Sequence, residues 1–209
     1  MPPIIEVSDE TLKGLDQLKI PYSIREEQPQ GDFIYIPSAK LHFAKQKTLK
    51  TKNWFESHRL LQVSGLAMPT PLEFVQTLKY LRDNPNPENT ALYEELTEFR
   101  SPWRATWFDA YFEQRKDGLY MLMGNKTRAE KLNEDTLMED RTPGISLDSW
   151  LENPTSQGLP RKDVADGDLY FWNPREDSVA RFNTDIARAL LDWNWDPADG
   201  GFQSRGTRR

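Results

Sequence analysis

Residues Trp103–Met123 read WRATWFDAYFEQRKDGLYMLM, and this stretch decides the fold class. Thr106, Phe108, Ala110 and Phe112 alternate with Trp103, Ala105, Trp107 and Asp109. Successive side chains of a strand point to opposite faces, so large residues at period two read as β structure. Gly118 supplies a turn and Leu119–Met123 a return strand, which predicts a hairpin.

Upstream the period changes. Thr70-Pro71-Leu72-Glu73 is a capping box with proline at the first helical position, and Leu72, Val75, Leu78 and Leu81 follow at helical spacing. Asn84-Pro85-Asn86-Pro87 stops that helix. A second helix is expected over Glu88 to Phe99, with Leu92, Leu96 and Phe99 inward. Its Glu94, Glu95 and Glu98 read as a solvated face, since nothing nearby would perturb an acid/base pair. The first third reads as short strands and loops, with Phe33-Ile34-Tyr35-Ile36 a β-prone run stopped by Pro37. Five lysines between Lys40 and Lys52 read as a solvated basic edge, with a nucleic-acid patch as the sharper alternative.

Downstream, a short helix is expected around Thr127 to Asn133 and another over Ser146 to Leu151. Leu169 to Trp172 reads as a strand partnered by Ser178 to Phe182. The expectation is an α+β fold of two helices with short antiparallel strands, in one domain spanning residues 1–209.

Composition narrows the function classes. The chain has 209 residues, 37% hydrophobic and 29% charged, with seven Trp and ten Phe, enough for a sizeable core. A formal net charge of −6 argues against a nucleic-acid partner, whose binder carries a basic footprint. No run approaches the ~20 apolar residues of a membrane span, and MPPIIEVSDE lacks the basic region and apolar core of a signal peptide. The absence of Cys excludes disulfides, thiolate metal sites and cysteine nucleophiles.

Few residues suggest catalysis. His42 and His58 lie in no ligand-spaced motif, and no nucleophile elbow, phosphate loop or dinucleotide fingerprint is present. Asp192-Trp193-Asn194-Trp195-Asp196 copies the start of a calcium loop, but Pro197 stands where its sharp-turn glycine belongs and Gln203 where its bidentate glutamate belongs. The simpler reading is a strand with rings on one side and acids on the other. No metal or other cofactor is expected.

The tail is different. Val179–Arg209, VARFNTDIARALLDWNWDPADGGFQSRGTRR, sets large rings among small adaptable polar groups, the composition of a recognition surface. Asn173 to Phe182, then Arg188-Ala189, Leu191-Asp192, Trp195-Asp196-Pro197 and Ser204 to Arg208, resemble a variable repeat that ends the target proteins of diversity-generating retroelements. The chain is similar to the archaeal and archaeal-virus branch of these proteins, and Arg100 to Ala110 and Gly158 to Lys162 share the likeness.

The resemblance implies a C-type lectin-like fold of the formylglycine-generating-enzyme type and a binding role without catalysis, the variable region covering about residues 175–209. It implies a protein or cell-surface ligand and a location on a virion or cell surface. Two departures stand out. The lack of Cys rules out formylglycine chemistry, and Trp193-Asn194 is followed by Trp195, with no Glu-Pro-Asn partner for calcium-mediated sugar binding.

Adenine mutation of AAC and AAT codons reaches Asn, Asp, Ser, Thr, Ile, Ala, Gly, Arg, Leu and Phe, but never Trp, Gln, Lys, Glu or Met. On that basis the ligand-binding candidates are Asn183, Thr184, Asp185, Ile186, Arg188, Leu190, Asn194, Ala198, Asp199, Gly200, Gly201 and Phe202. Trp172, Trp193 and Trp195 are read as scaffold that buries area and locks the presenting strand. The alternatives are a metal-assisted hydrolase using Asp192, Asp196 and a His, or a structural virion protein with no diversified site.

Overall fold

The computed structural model describes residues 33–97, 104–184, 189–194, 197–198 and 203–208, together with Gly14 and Gln17. The chain divides into two compact units, Met1–Gln30 and Gly31–Arg209, and the elements below belong to the second. Strands β1 (Phe33–Ile36), β2 (Leu41–Ala44) and β3 (Leu49–Lys50) precede helices α1 (Trp54–Val63), α2 (Pro71–Asp83) and α3 (Pro87–Thr97). Then come β4 (Arg104–Arg115), β5 (Gly118–Met123), β6 (Arg128–Lys131), β7 (Arg141–Ile145), α4 (Leu147–Glu152) and β8 (Leu169–Phe171). The tail supplies β9 (Val179–Thr184), β10 (Ala189–Asn194), β11 (Gln203–Ser204) and β12 (Thr207–Arg208).

The fold is α+β. A large sheet runs β3-β11-β4-β9-β10-β8-β7, with β5 on β4 and β6 on β5, and a small sheet runs β1-β2-β12. Pairing is antiparallel except between β10 and β8 and between β11 and β4. Thr106 pairs both Phe182 and Gln203, while Tyr111 pairs both Val179 and Leu122. Strands β11 and β5 therefore share the edge of β4 that faces away from β9.

The β4–β5 hairpin forms as expected, and from Ala105 to Phe112 both faces of β4 are covered. Phe108, Ala110 and Phe112 pack into a core with Phe74, Val75, Leu78 and Leu81 of α2, Leu92 and Leu96 of α3, and Trp150 of α4. Ala105 and Trp107 face a second core with Trp54 and Leu61 of α1, Leu66, Met68 and Val179. Period two survives because each pleat face meets its own helical layer. Full burial of a side chain such as Phe74 is worth about 2–3 kcal/mol, and truncation to Ala would cost ~3–5 kcal/mol once the cavity is included.

Local signals explain the helices. Thr70 and Glu73 close the expected capping box of α2, Thr70 Oγ1 accepting from the Glu73 N–H and Glu73 Oε2 from the Thr70 N–H. Phe74 joins Val75, Leu78 and Leu81 in the buried stripe, whereas Leu72 is half-buried. Ser146 caps α4, and Trp150 Nε1 donates to the Gly158 carbonyl at 3.0 Å. Gly158 has φ +83°, and a Cβ there would lie 2.2 Å from Leu72 N, so only glycine fits.

Several expectations are corrected. The described residues contain four helices: besides the two long ones expected, α4 stands where a short helix was expected, and α1 replaces the loops and strands expected in that part of the chain. Its buried stripe is Trp54, Ser57, His58 and Leu61, helical in spacing but half polar, so hydrophobic periodicity misses it. The Asn53/Glu56 capping box was the available signal. The region expected as a helix around Thr127 to Asn133 is instead strand β6, four exposed residues on a sheet edge, where charge blunts further pairing and no apolar period can show.

Strand β8 pairs with β10 and β7, not with the Ser178 to Phe182 segment, because β10 lies between them. The lysine-rich segment is no simple edge either. Leu41, Phe43 and Ala44 are buried in β2, between β1 and β12, and Lys45 pairs with Glu88 at 2.6 Å. Phe99 and Glu98 lie outside the described residues.

Candidate functional site

The tail enters the middle of the large sheet. Leu190, Asp192 and Asn194 on β10 register opposite Asn183, Arg181 and Val179 on β9. Of the candidates, Asn183 lies in β9 with its side chain 8% exposed, so it belongs to the floor of any surface built here. Thr184 ends β9, Leu190 and Asn194 lie in β10, and Ala198 is exposed in a turn. Asp185, Ile186, Arg188, Asp199, Gly200, Gly201 and Phe202 lie outside the described residues, as do Trp195 and Asp196.

The ends of these segments are placed. Thr184 pairs with Ala189 and with Arg104, and Gln203 pairs with Thr106 two residues along β4. Residues 184, 189 and 203, where the chain leaves β9, enters β10 and enters β11, therefore meet one end of the sheet, the end where β4 begins. On the other side of β10 lies β8, whose Tyr170 registers with Leu190. Beside it opens a cavity of about 340 Å³, lined by Thr97, Asp148, Asp166, Asp168 and Leu169 among others.

The cavity wall accepts hydrogen bonds more than it donates them. Asp148 takes a 2.9 Å bond from Arg82 and Asp166 a 3.2 Å bond from Arg141, which leaves both carboxylates with further lone pairs. Arg82 also bonds Asp83 and Glu152, and Lys79 reaches both of those acids, so α2 is tied to α4 beneath the cavity. Hydrogen bonds from Lys79 and then Arg82 hold the Glu152 and Asp83 carboxyls below the usual range. Donating to Glu152, and then to Asp83, raises Lys79.

Beyond the candidates, the chain's final stretch is structural. Ser204, Arg205 and Thr207 are 1% exposed or less, and Thr207 exchanges two backbone hydrogen bonds with Ala67. Arg205 donates to the carbonyls of Ala44 and Lys45 and pairs with Glu95 at 2.9 Å. Glu95, read from sequence as solvated, is thus the partner of a buried guanidinium. Ser178, Val179, Ala180 and Phe182 are also buried, so these described positions of the segment expected to vary are core.

Trp172, read as scaffold, is 43% exposed: it lies just past the end of β8 at Phe171 and is part-buried rather than enclosed. The indole of Trp193 falls outside the described side chains, though its backbone registers with Ala180.

Two polar groupings escaped sequence reasoning. His58 of α1 faces Asp109 of β4 at 3.3 Å, both nearly buried, with the Trp54 ring edge-on to the imidazole. Asp109 also accepts from the Gly124 N–H at 2.6 Å, so it ties α1 and the β5–β6 turn to β4. Tyr111 donates to Asp177 at 2.8 Å, and burial, then that bond, pushes its phenol up to about 12. Among the described residues no three His, Asp or Glu side chains converge as a metal-ligand set, and no helix is long and apolar enough to cross a membrane. Comparison with protein-family models, with curated proteins and with solved structures finds no match.

Proposed function

We propose that this protein is a binding module whose C-terminal region is diversified by retroelement-directed adenine mutagenesis, on a C-type lectin-like scaffold, and that it recognises a protein or cell-surface ligand without catalysis. One observation carries the reading: the connection 185–188 leaves and re-enters the sheet at the end where β4 begins, through residues 184 and 189, and the connection 195–202, which starts from Asn194 at the opposite end, returns to that same end at Gln203. Each is bracketed by strands of fixed register, so sequence change between them need not disturb the frame. The buried Ser204 to Thr207 segment anchors the chain directly after the second connection. A rigid frame with exchangeable connections is how a binding surface gains variety without losing pre-organisation.

The test is the DNA beside the gene. The expected finding is a near-identical, adenine-rich copy of its 3′ end next to a reverse-transcriptase gene, with mismatches at codons such as those for Ile186, Arg188 and Phe202. Absence of such a copy, or mismatches gathered at the codons of Trp172, Trp193 and Trp195, would overturn the reading.

A further inference from the structure

Lys126 sits in the turn between β5 and β6, where Asn125 has φ 54° and Lys126 φ 68°. With Gly124 at φ 62°, three consecutive residues of this four-residue turn are left-handed; glycine and asparagine tolerate that conformation, whereas a lysine in the third place carries a backbone cost. Its side chain supplies the compensation. Nζ lies 3.2 Å from the Tyr111 ring centroid and 5.4 Å from that of Phe55. Burial holds the ammonium below the usual lysine value, while Asp177 and Glu113 act in the opposite direction from farther away.

The rings around it are fixed. Trp54 stands edge-on to Phe55 at 5.2 Å and tilted to Tyr111 at 6.2 Å. Tyr111 is held by its hydrogen bond to Asp177, and the turn itself by Asp109. Phe55 remains 44% exposed, so the rings are open to a visitor. Pre-set aromatic faces with carboxylates behind them make a receptor for a weakly hydrated cation. The place also adjoins the tail, since the Trp54 N–H donates to the Pro197 carbonyl at 3.1 Å.

We infer that Phe55 and Tyr111 form a recognition site for a methylated ammonium group, kept filled by Lys126 until a ligand's cation displaces it. The resident lysine is an exchangeable stand-in, because the turn holding it is strained and the amine is partly desolvated. The site involves no diversified position, so its fate is separate from that of the proposed function.

Tetramethylammonium is the probe, titrated at constant ionic strength against sodium and followed by the ring-proton NMR shifts of Phe55 and Tyr111. Lys126→Gly empties the site and suits the turn. It is expected to bind the probe roughly tenfold more tightly than wild type, the scale of one cation–π contact. Lys126→Asn, which also tolerates the left-handed turn, should behave alike and guards against a folding defect in the first variant. Adding Tyr111→Leu to either variant should abolish the gain. Equal binding by wild type and both Lys126 variants, or a gain that survives Tyr111→Leu, overturns the inference.

Discussion

Replacing Glu95 by Ala takes the carboxylate away from a guanidinium that is 2% exposed and sits 2.9 Å from it. Arg205 also serves two backbone carbonyls, those of Ala44 and Lys45, so the charge cannot move out to water without giving up those bonds. Removing one partner of a buried pair costs ~3–5 kcal/mol, because the remaining charge stays desolvated. Glu95 keeps 30% exposure, so water already reaches the pair and the lower end of that range applies. For a domain of this size ~3 kcal/mol corresponds to a fall of roughly 6–12 °C in Tm. Glu95→Gln keeps an acceptor oxygen and should cost only about 1–2 kcal/mol, the difference between a charged and a neutral hydrogen bond. Urea denaturation gives the free energies. Hydrogen exchange locates them: the Thr207 and Ala44 amides, bonded to Ala67 and Gly206, should exchange faster in Glu95→Ala while the α2 amides change less. A loss below about 1 kcal/mol, or unchanged exchange at Thr207, would refute the claim that this pair fastens the tail.

The other predictions concern local geometry and titration. Gly158→Ala should cost more than ~2 kcal/mol by thermal melting, through overlap with the α2 backbone and a left-handed φ, whereas Gly65→Ala, with φ +69° and open space, should cost only about 1. In a spectrophotometric titration one tyrosine, Tyr111, should ionise near pH 12, and Asp177→Asn should lower that value only in part because burial is the larger cause. The Glu152 and Asp83 carboxyls have depressed folded-state values, so their stabilisation is present above the unfolded carboxylate range and is lost as pH falls through the folded values. Glu152→Gln should therefore melt below wild type at neutral pH, and the two curves should converge as pH falls through the folded-state values; a gap that persists in acid would show that the loss is not electrostatic.

Much of the fold is legible because it is written in local chemistry. Thr70-Pro71-Leu72-Glu73 announces α2, Ser146 announces α4, and the alternation from Ala105 to Phe112 announces β4, each with its cause within a few residues. Helix α1 went unread for a reason of composition. Its buried stripe includes Ser57 and His58, the latter facing Asp109 of β4, between the core residues Trp54 and Leu61, so the pattern looks polar. Strand β6 hid because all four of its residues are exposed.

The proposed recognition region divides the same way. Sequence alone identified the tail as the unusual segment and separated codon-reachable residues from the tryptophans, because both depend only on residue identity. It could not tell which of those residues are buried. Burial of Asn183, exposure of Trp172, and the pairing of Glu95 with Arg205 across 110 residues depend on which strands lie side by side. The order β11-β4-β9-β10-β8 brings distant segments to one end of one sheet. Its parallel neighbours, β11 on β4 and β8 beside β10, are joined by no tight turn that a sequence motif could announce. Residue chemistry was readable one position at a time; the surface exists only through long-range strand pairing, and that is a property of the folded chain.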